Sequence, residues 1–370
     1  MKPTRYLACL APFFCAFSAP TAHAANGTWS TDIAGNWSDA TKWATSSIAD
    51  GTDAIADFST LNIAAGRTVT LDSNRTVGTL KFDDTGATGD SGWTISTTTA
   101  KTLTLATSSG VPTITIGSTG VANSFAGQTI STAIVGTQGL TVSGGNQLTL
   151  GGDLSGLSGA LIVNGGRLSF NAGTSLGGIT SVTVASGGQL GFWNSGSYSS
   201  ANITIAGTGY GETGFDAALR LGNASCNVVL DGTVTLSGNA TIAGRNGAGF
   251  TNTFNGNIGD SGSPYTLTFG TSSLNGTYVL NGTNTYTGGT IITNGTLQIG
   301  GAGSLGSGNY AATIGNAGNF RYSSSANQTL AGIISGAGAL AKDTDTSSAL
   351  TLSGVNTYTG ATTISAGVLR

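Results

Sequence analysis

Along most of the chain apolar and polar residues alternate in short runs, and glycine-rich corners separate the runs. "KTLTLATSSG", "GLTVSGG", "SVTVASGGQLGF" and "GTVTLSGNATIAG" are typical. Alternation with period 2 puts every second side chain on one face of an extended strand. The runs are rich in Thr, Val, Ile and Leu, which suit a pleated surface. The breaks are rich in Gly, Asn and Ser, which suit turns. Breaks recur every ~8 to 12 residues, the rhythm of consecutive short strands. Helical periodicity is absent, and the chain holds a single Glu, Glu212. The pattern predicts an all-β protein. Disorder is the rival reading of a chain with 61 Gly in 370 residues. A 38% hydrophobic content placed at alternating positions argues against it.

One run is written twice. "YVLNGTNTYTGGTIITNGTLQ" (278–298) and "LTLSGVNTYTGATTISAGVLR" (350–370) align without gaps at an offset of 72. A diverged third copy, "LTLGGDLSGLSGALIVNGGRLSF" (148–170), needs one extra residue near its start. Leu280, Leu352 and Leu150 coincide, as do Ile292, Ile364 and Val163, and Leu297, Leu369 and Leu168. Their neighbours are polar: Thr293, Ser365 and Asn164, then Gln298, Arg370 and Ser169. The first set is expected to face a core. Asn294-Gly295 and Ala366-Gly367 fall between two strands, where Gly supplies a positive φ.

Asn-Gly between strands is also a strong hairpin signal. A stack of hairpins therefore competes with a solenoid whose corners use the same turn chemistry. A sandwich has no reason to repeat one sequence at 72 residues, whereas in a solenoid each coil stacks on a copy of itself. Three coils of roughly 24 residues would fill the offset. The favoured fold is a parallel β-helix.

These segments resemble the autotransporter-associated β-strand repeat. "ISGAGALAKDTDTSSALTLSG" resembles the linker that leads into that repeat, and the leader "TWSTDIAGNWSDATKWA" is similar to what flanks it in large bacterial surface proteins. The resemblance covers about a fifth of the chain. It implies a right-handed parallel β-helix passenger exported by a Gram-negative-type cell, and it implies no catalytic residue. The chain departs from fuller members in one respect. No series of ~10-residue alternating strands, the signature of a membrane barrel, follows the repeats.

The N-terminus changes the inventory of chemistry. "MKPTRYLACLAPFFCAFSAPTAHA" has a basic start at Lys2 and Arg5, an apolar stretch from Tyr6 to Phe17, and the small-x-small signal Ala22-His23-Ala24. It reads as a secretory signal peptide, residues 1–24. Its removal takes Cys9, Cys15 and the only His, His23. One cysteine, Cys226, would remain, so an internal disulfide, a Ser-His-Asp triad and a His-ligated zinc site are excluded. Of 13 Lys and Arg, Lys2 and Arg5 are lost, leaving 11 against 16 Asp and Glu, a net charge of −5. Nucleic-acid binding has no electrostatic support. No later apolar run reaches the ~20 residues of a membrane span. No cofactor or metal is expected.

Three places stand out from the Thr/Gly rhythm. Trp29, Trp37 and Trp43 crowd together near the start, within a Trp-rich cap assigned to residues 25–60. They are expected to close the first coil, with stacking on a carbohydrate as the functional alternative. "GYGETGFDAALRLG" holds Glu212, Asp216 and Arg220, a candidate site for a sugar acid or for acid/base chemistry; the plainer reading is a loop followed by a strand. Its Gly209, Gly211 and Gly214 match GxGxxG, with Asp231 about 20 residues on, but no helix pattern follows, so a dinucleotide site is rejected. Asp50, Asp53 and Asp57 have no calcium-loop spacing and read as a solvated turn. Tyr286 and Tyr358 read as packing residues, and Asn284 and Asn356 as turn formers.

The expectation is a secreted or cell-surface solenoid over residues 61–370, structural or adhesion-type, that presents a long surface to an unidentified surface or glycan ligand. The runner-up is a polysaccharide lyase or hydrolase on the same fold. Arg370 aligns with Gln298, after which the earlier copy continues into "GGAGSLGSG". The expectation is therefore a truncated product or a fragment of a longer passenger, with an open C-terminal edge through which it self-associates.

Overall fold

The computed structural model describes residues 24–370 except 87–90, 118–126, 172–175, 177, 199–200 and 248, and it leaves the side-chain surroundings of 223, 224 and 246 undescribed. The proposed signal peptide and its cleavage point at Ala24 therefore fall almost wholly outside the described residues. The chain winds into a parallel β-solenoid of about 13 turns with almost no helix. Every strand-to-strand pairing among the described residues is parallel, apart from two isolated antiparallel bridges, Ala25 with Asp50 and Trp29 with Trp43.

The strands form parallel ladders along the solenoid, each spanning part of it. One ladder starts at Gly27–Thr28 and passes through Ile55–Phe58 and Thr79–Phe82 to Ile258–Gly259. A second starts at Gly35–Asn36 and runs through Gly166–Phe170 and Gly188–Phe192 to Ile334–Ser335. A third covers Gly196–Tyr198 to Thr362–Ile364, and a fourth joins Asn309–Tyr310 to Val368–Leu369. The alternation of the sequence becomes columns of side chains in the interior. On the second ladder Leu148, Leu168, Leu190, Leu219, Ile242, Phe269 and Ile292 stack one over the next, all fully buried. A buried leucine gains about 1.5–3 kcal/mol from leaving water, and in a solenoid that gain repeats coil by coil.

The repeated run is one coil closed on itself. Thr277–Leu280 stacks on Thr296–Ile299, with Tyr278 over Leu297 and Leu280 over Ile299. The last copy does the same, with Ala349 over Val368 and Leu350 over Leu369. The diverged copy also closes, Leu148 over Leu168 and Leu150 over Phe170, one residue longer per coil. The expectation that three coils fill the 72-residue offset is corrected. Thr277 stacks on Thr296, Asn319 and Ala339 in turn, so three coils end at 339. The ten residues that remain carry the chain around to Ala349, on a different ladder. The three copies thus begin on three different ladders.

Asn294-Gly295 is a corner and not a hairpin. It joins Thr290–Ile292 of the second ladder to Thr296–Ile299 of the third, and each strand pairs with the coils above and below instead of with the other. Gly295 has φ +77°, and a Cβ there would lie 2.2 Å from the Gly276 carbonyl oxygen. Gly367, at the same place in the last copy, has φ +75°.

Asn284 and Asn356 do more than form turns. The Asn284 Oδ1 accepts the Ile258 N–H (3.0 Å), while the Thr285 N–H donates to the Ile258 carbonyl (2.8 Å). Asn356 repeats this with the Ile334 N–H (2.8 Å), and Thr357 with the Ile334 carbonyl (2.9 Å). The side-chain amide stands in for a strand carbonyl where the chain leaves the ladder, so no buried N–H is orphaned. Gln128 and Gln328 serve Trp93 and Leu305 in the same way. Asn284→Ala is expected to cost about 1–3 kcal/mol, the penalty for unpaired buried groups. Asn356→Ala, at a half-exposed position, should cost less. Urea midpoints of the two variants check this.

Tyr286 packs inward as expected and adds a hydrogen-bond chain. Its hydroxyl meets Thr290 Oγ1 (2.8 Å), which meets the Tyr310 hydroxyl (2.8 Å). Tyr358 and Thr362 repeat the first link at 2.8 Å. Burial pushes the Tyr286 phenol up to about 12 and Tyr310 and Tyr278 up as well. Such phenols keep their protons in the folded chain after an unfolded chain has lost them near pH 10. For Tyr286 that contribution is therefore complete below about pH 10 and is lost as the pH rises through about 12. Alkaline titration is expected to show a late phenolate absorbance step that coincides with loss of the β circular-dichroism signal. A late step without unfolding would contradict it.

Candidate functional site

The tryptophans lie in the interior. Trp29 and Trp37 are fully buried and Trp43 nearly so. Trp29 and Trp43 meet edge to face at 5.2 Å, and all three rings pack on Phe58 within 5.9 Å. The Trp37 indole N–H donates to the Ala49 carbonyl (2.9 Å) and that of Trp43 to the Trp37 carbonyl (2.7 Å). With its faces covered, none of the three presents a ring to a carbohydrate, and that alternative is corrected. The segment shades into the solenoid before residue 60, because Ile55–Phe58 already stacks on Thr79–Phe82.

The aspartates of the early turn do not converge. Asp50 accepts from Arg75 Nη1 (2.9 Å) and the Thr76 N–H (3.0 Å), Asp53 from the Ser108 N–H (2.8 Å), and Asp57 from Ser59. Among the described residues no three His, Cys, Asp or Glu side chains group as metal ligands.

The segment from Gly207 to Ala218 is different. It is longer than an ordinary corner and folds back over the outer face of the second ladder. Gly209, Gly211 and Gly214 take φ of +106°, +103° and +80°, and a Cβ on Gly209 would sit 2.7 Å from the Ala217 amide nitrogen. The GxGxxG spelling is thus loop geometry. Asp216 Oδ1 accepts the N–H groups of Gly211 (2.9 Å) and Glu212 (2.5 Å) and holds the bend. Ala217 packs with Ala243 and Leu274 in a small second core, with Phe215 against it. Because of this cover, Gly166–Phe170 and Gly188–Phe192 are buried on both faces.

Polar residues meet under the cover. Glu212 Oε2 lies 2.7 Å from Arg167 Nη1 and 2.6 Å from Arg220 Nη1. All three side chains are nearly buried. Arg167 also donates to Gln147, its register neighbour one coil earlier. Gln147 Nε2 donates to the Tyr210 hydroxyl (3.1 Å). Trp193 lies 4.7 Å from the Arg220 guanidinium and 5.2 Å from that of Arg167, and Phe215 lies 5.1 Å from Arg220. Burial pulls Arg220 below its ordinary value, opposed by Glu212, and pushes the Tyr210 phenol up to about 12. A cavity of 340 Å³ opens beside the group, lined by Arg167, Asn171, Trp193, Glu212, Phe215, Arg220 and Arg245.

Glu212, Asp216 and Arg220 are therefore brought into one neighbourhood, but with separate duties. Glu212 bridges two arginines and Asp216 caps backbone amides, so neither is placed as half of an acid/base pair. Arg220 is directed to the outer face and into the cluster, as its position between Leu219 and Leu221 indicates. Sequence reasoning missed Arg167, Trp193 and Arg245. The signal for them was the length of the Gly207–Ala218 connection and its aromatics Tyr210 and Phe215, too many for an exposed corner.

The passenger-associated-transport-repeat family matches residues 275–299 and 347–370. Each match spans one closed coil. The diverged coil at 148–170 lies outside both. The chain is also 30% identical over 257 residues, 67% of its length, to the adhesin BmaC autotransporter of Brucella suis biovar 1 (strain 1330). It spans only 7% of that relative's length. No solved structure matches. What the chain shares with that family is two passenger-associated-transport repeats, each closing one coil of a parallel β-solenoid.

Proposed function

We propose that the chain is an extracellular adhesion module, part of a passenger that a Gram-negative-type cell exports and displays. The supporting observation is the family match on coils that close structurally, joined to the likeness to an adhesin autotransporter. A solenoid suits the task because its length sets the reach of its outer faces, and each coil needs only its neighbours for stability. The separate engagement of Glu212 and Asp216 favours binding over turnover. No described helix is long and apolar enough to cross a membrane.

The test of the main reading is attachment. Bacteria displaying the chain should bind host-cell or matrix-coated surfaces more than an undisplayed control, and purified protein should release no sugars from a panel of polysaccharides. Attachment no better than the control, or sustained release of unsaturated or reducing sugars, overturns it.

A further inference from the structure

The arginine cluster leaves binding capacity unused. Three guanidiniums and one carboxylate line the cavity, so positive charge is in excess there, on a protein that is acidic as a whole. Glu212 takes one Nη1 from each of Arg167 and Arg220. The Nε–H of each is buried and has no hydrogen-bond partner. Arg245 is exposed and makes no ion pair among the described residues. The remaining walls include two aromatics, Trp193 and Phe215, both only half buried. Planar guanidinium forks match carboxylates, and an aromatic wall beside them accepts the C–H face of a sugar ring. The volume falls within the range of small-ligand sites.

We propose that this cavity binds an acidic sugar: one pyranose ring whose carboxylate is held by Arg245 and the unused N–H groups of Arg167 and Arg220, with Trp193 and Phe215 against the ring. Glu212 then fixes the spacing of the two buried arginines without being a ligand contact. The proposal relies on the adhesion reading only for where such a sugar is met. A terminal residue of a surface glycan and a free sugar acid carry the same chemistry.

The experiment is calorimetric titration of the purified chain with D-glucuronate and with N-acetylneuraminate, followed by oligosaccharides that end in each. Glucose and sulfate are the controls. The expected result is saturable binding of at least one acid, tenfold or more tighter than glucose or sulfate, and weakened at least tenfold by Arg245→Gln, whose exposed position leaves the melting temperature unchanged. Trp193→Leu should weaken it too. Tighter binding of the oligosaccharide than of its free sugar assigns the site to surface glycans, and equal binding assigns it to free sugar acids. Sulfate binding as well as the acids, no binding of any acid at millimolar concentration, or affinity unchanged in Arg245→Gln each overturns the proposal. Because this assay needs no cells, it fails or succeeds independently of attachment.

Discussion

Leu297→Asp is expected to destabilise the C-terminal coils by about 4 kcal/mol or more, whereas Gln298→Asp, one residue on, stays within about 0.5 kcal/mol of the parent. Leu297 is fully buried between Tyr278 and Phe320 on the third ladder. A carboxylate there has no partner and no water. Gln298 points outward, with Arg321 as its register neighbour in the next coil, so an added carboxylate gains a facing cation. Thermal melts of the two variants check this, and equal shifts would show that the inward face is wrongly assigned. A neighbouring column of the same ladder, Leu280, Ile299, Tyr322 and Lys342, holds a case in which a charge is tolerated. Lys342 occupies the position below Tyr322 and is fully buried. Its ammonium donates to the carbonyls of Asp343 (3.2 Å) and Asp345 (3.1 Å) and lies 5.7 Å from the Tyr322 ring centroid. That cation is accepted inside because the backbone turns two carbonyl oxygens toward it, a provision that a carboxylate at 297 could not use.

The second large effect is at Glu212. Glu212→Ala leaves Arg167 and Arg220 facing each other without their shared carboxylate, and removing one partner from a buried ionic group costs about 3–5 kcal/mol. The loss should be local to the outer cover, so hydrogen exchange is expected to rise first between Gly207 and Ala218 while the interior columns stay protected. Replacing the whole trio with Met, Leu and Met at 167, 212 and 220 should recover most of the stability, because no buried charge then remains. A Glu212→Ala variant within about 1 kcal/mol of the parent would mean that water reaches the cluster.

Much of this fold was legible because a solenoid writes its core locally. Leu280, Ile292 and Leu297 could be assigned inward from alternation alone, and the first and last strands of the repeat are one coil apart in sequence. The number of coils in the repeat offset was not legible. Coil length varies with corner length: Thr277 to Thr296 is 19 residues, and Thr296 to Asn319 is 23. An average therefore misplaces the face on which a copy begins. The role of Asn284 was hidden because the same residue type forms turns, and only the neighbouring coil reveals that its oxygen completes a ladder. The site was half legible. Glu212 and Arg220 share one segment, but Arg167 comes from two coils earlier and Arg245 from the coil after. Alternation marks such arginines as outward without showing what folds over them.

The central claim is that consecutive strands of the repeat turn a corner and pair with neighbouring coils, and disulfide trapping tests it most directly. In a background of Cys226→Ser, Gln298→Cys with Arg321→Cys places two cysteines at adjacent positions of one parallel ladder. Ile291→Cys with Gln298→Cys places them where an antiparallel hairpin around Asn294-Gly295 would bring them face to face. The structure predicts rapid oxidation of the first pair and none within a monomer of the second. Efficient cross-linking of Ile291→Cys to Gln298→Cys, with the first pair remaining reduced, would contradict the solenoid.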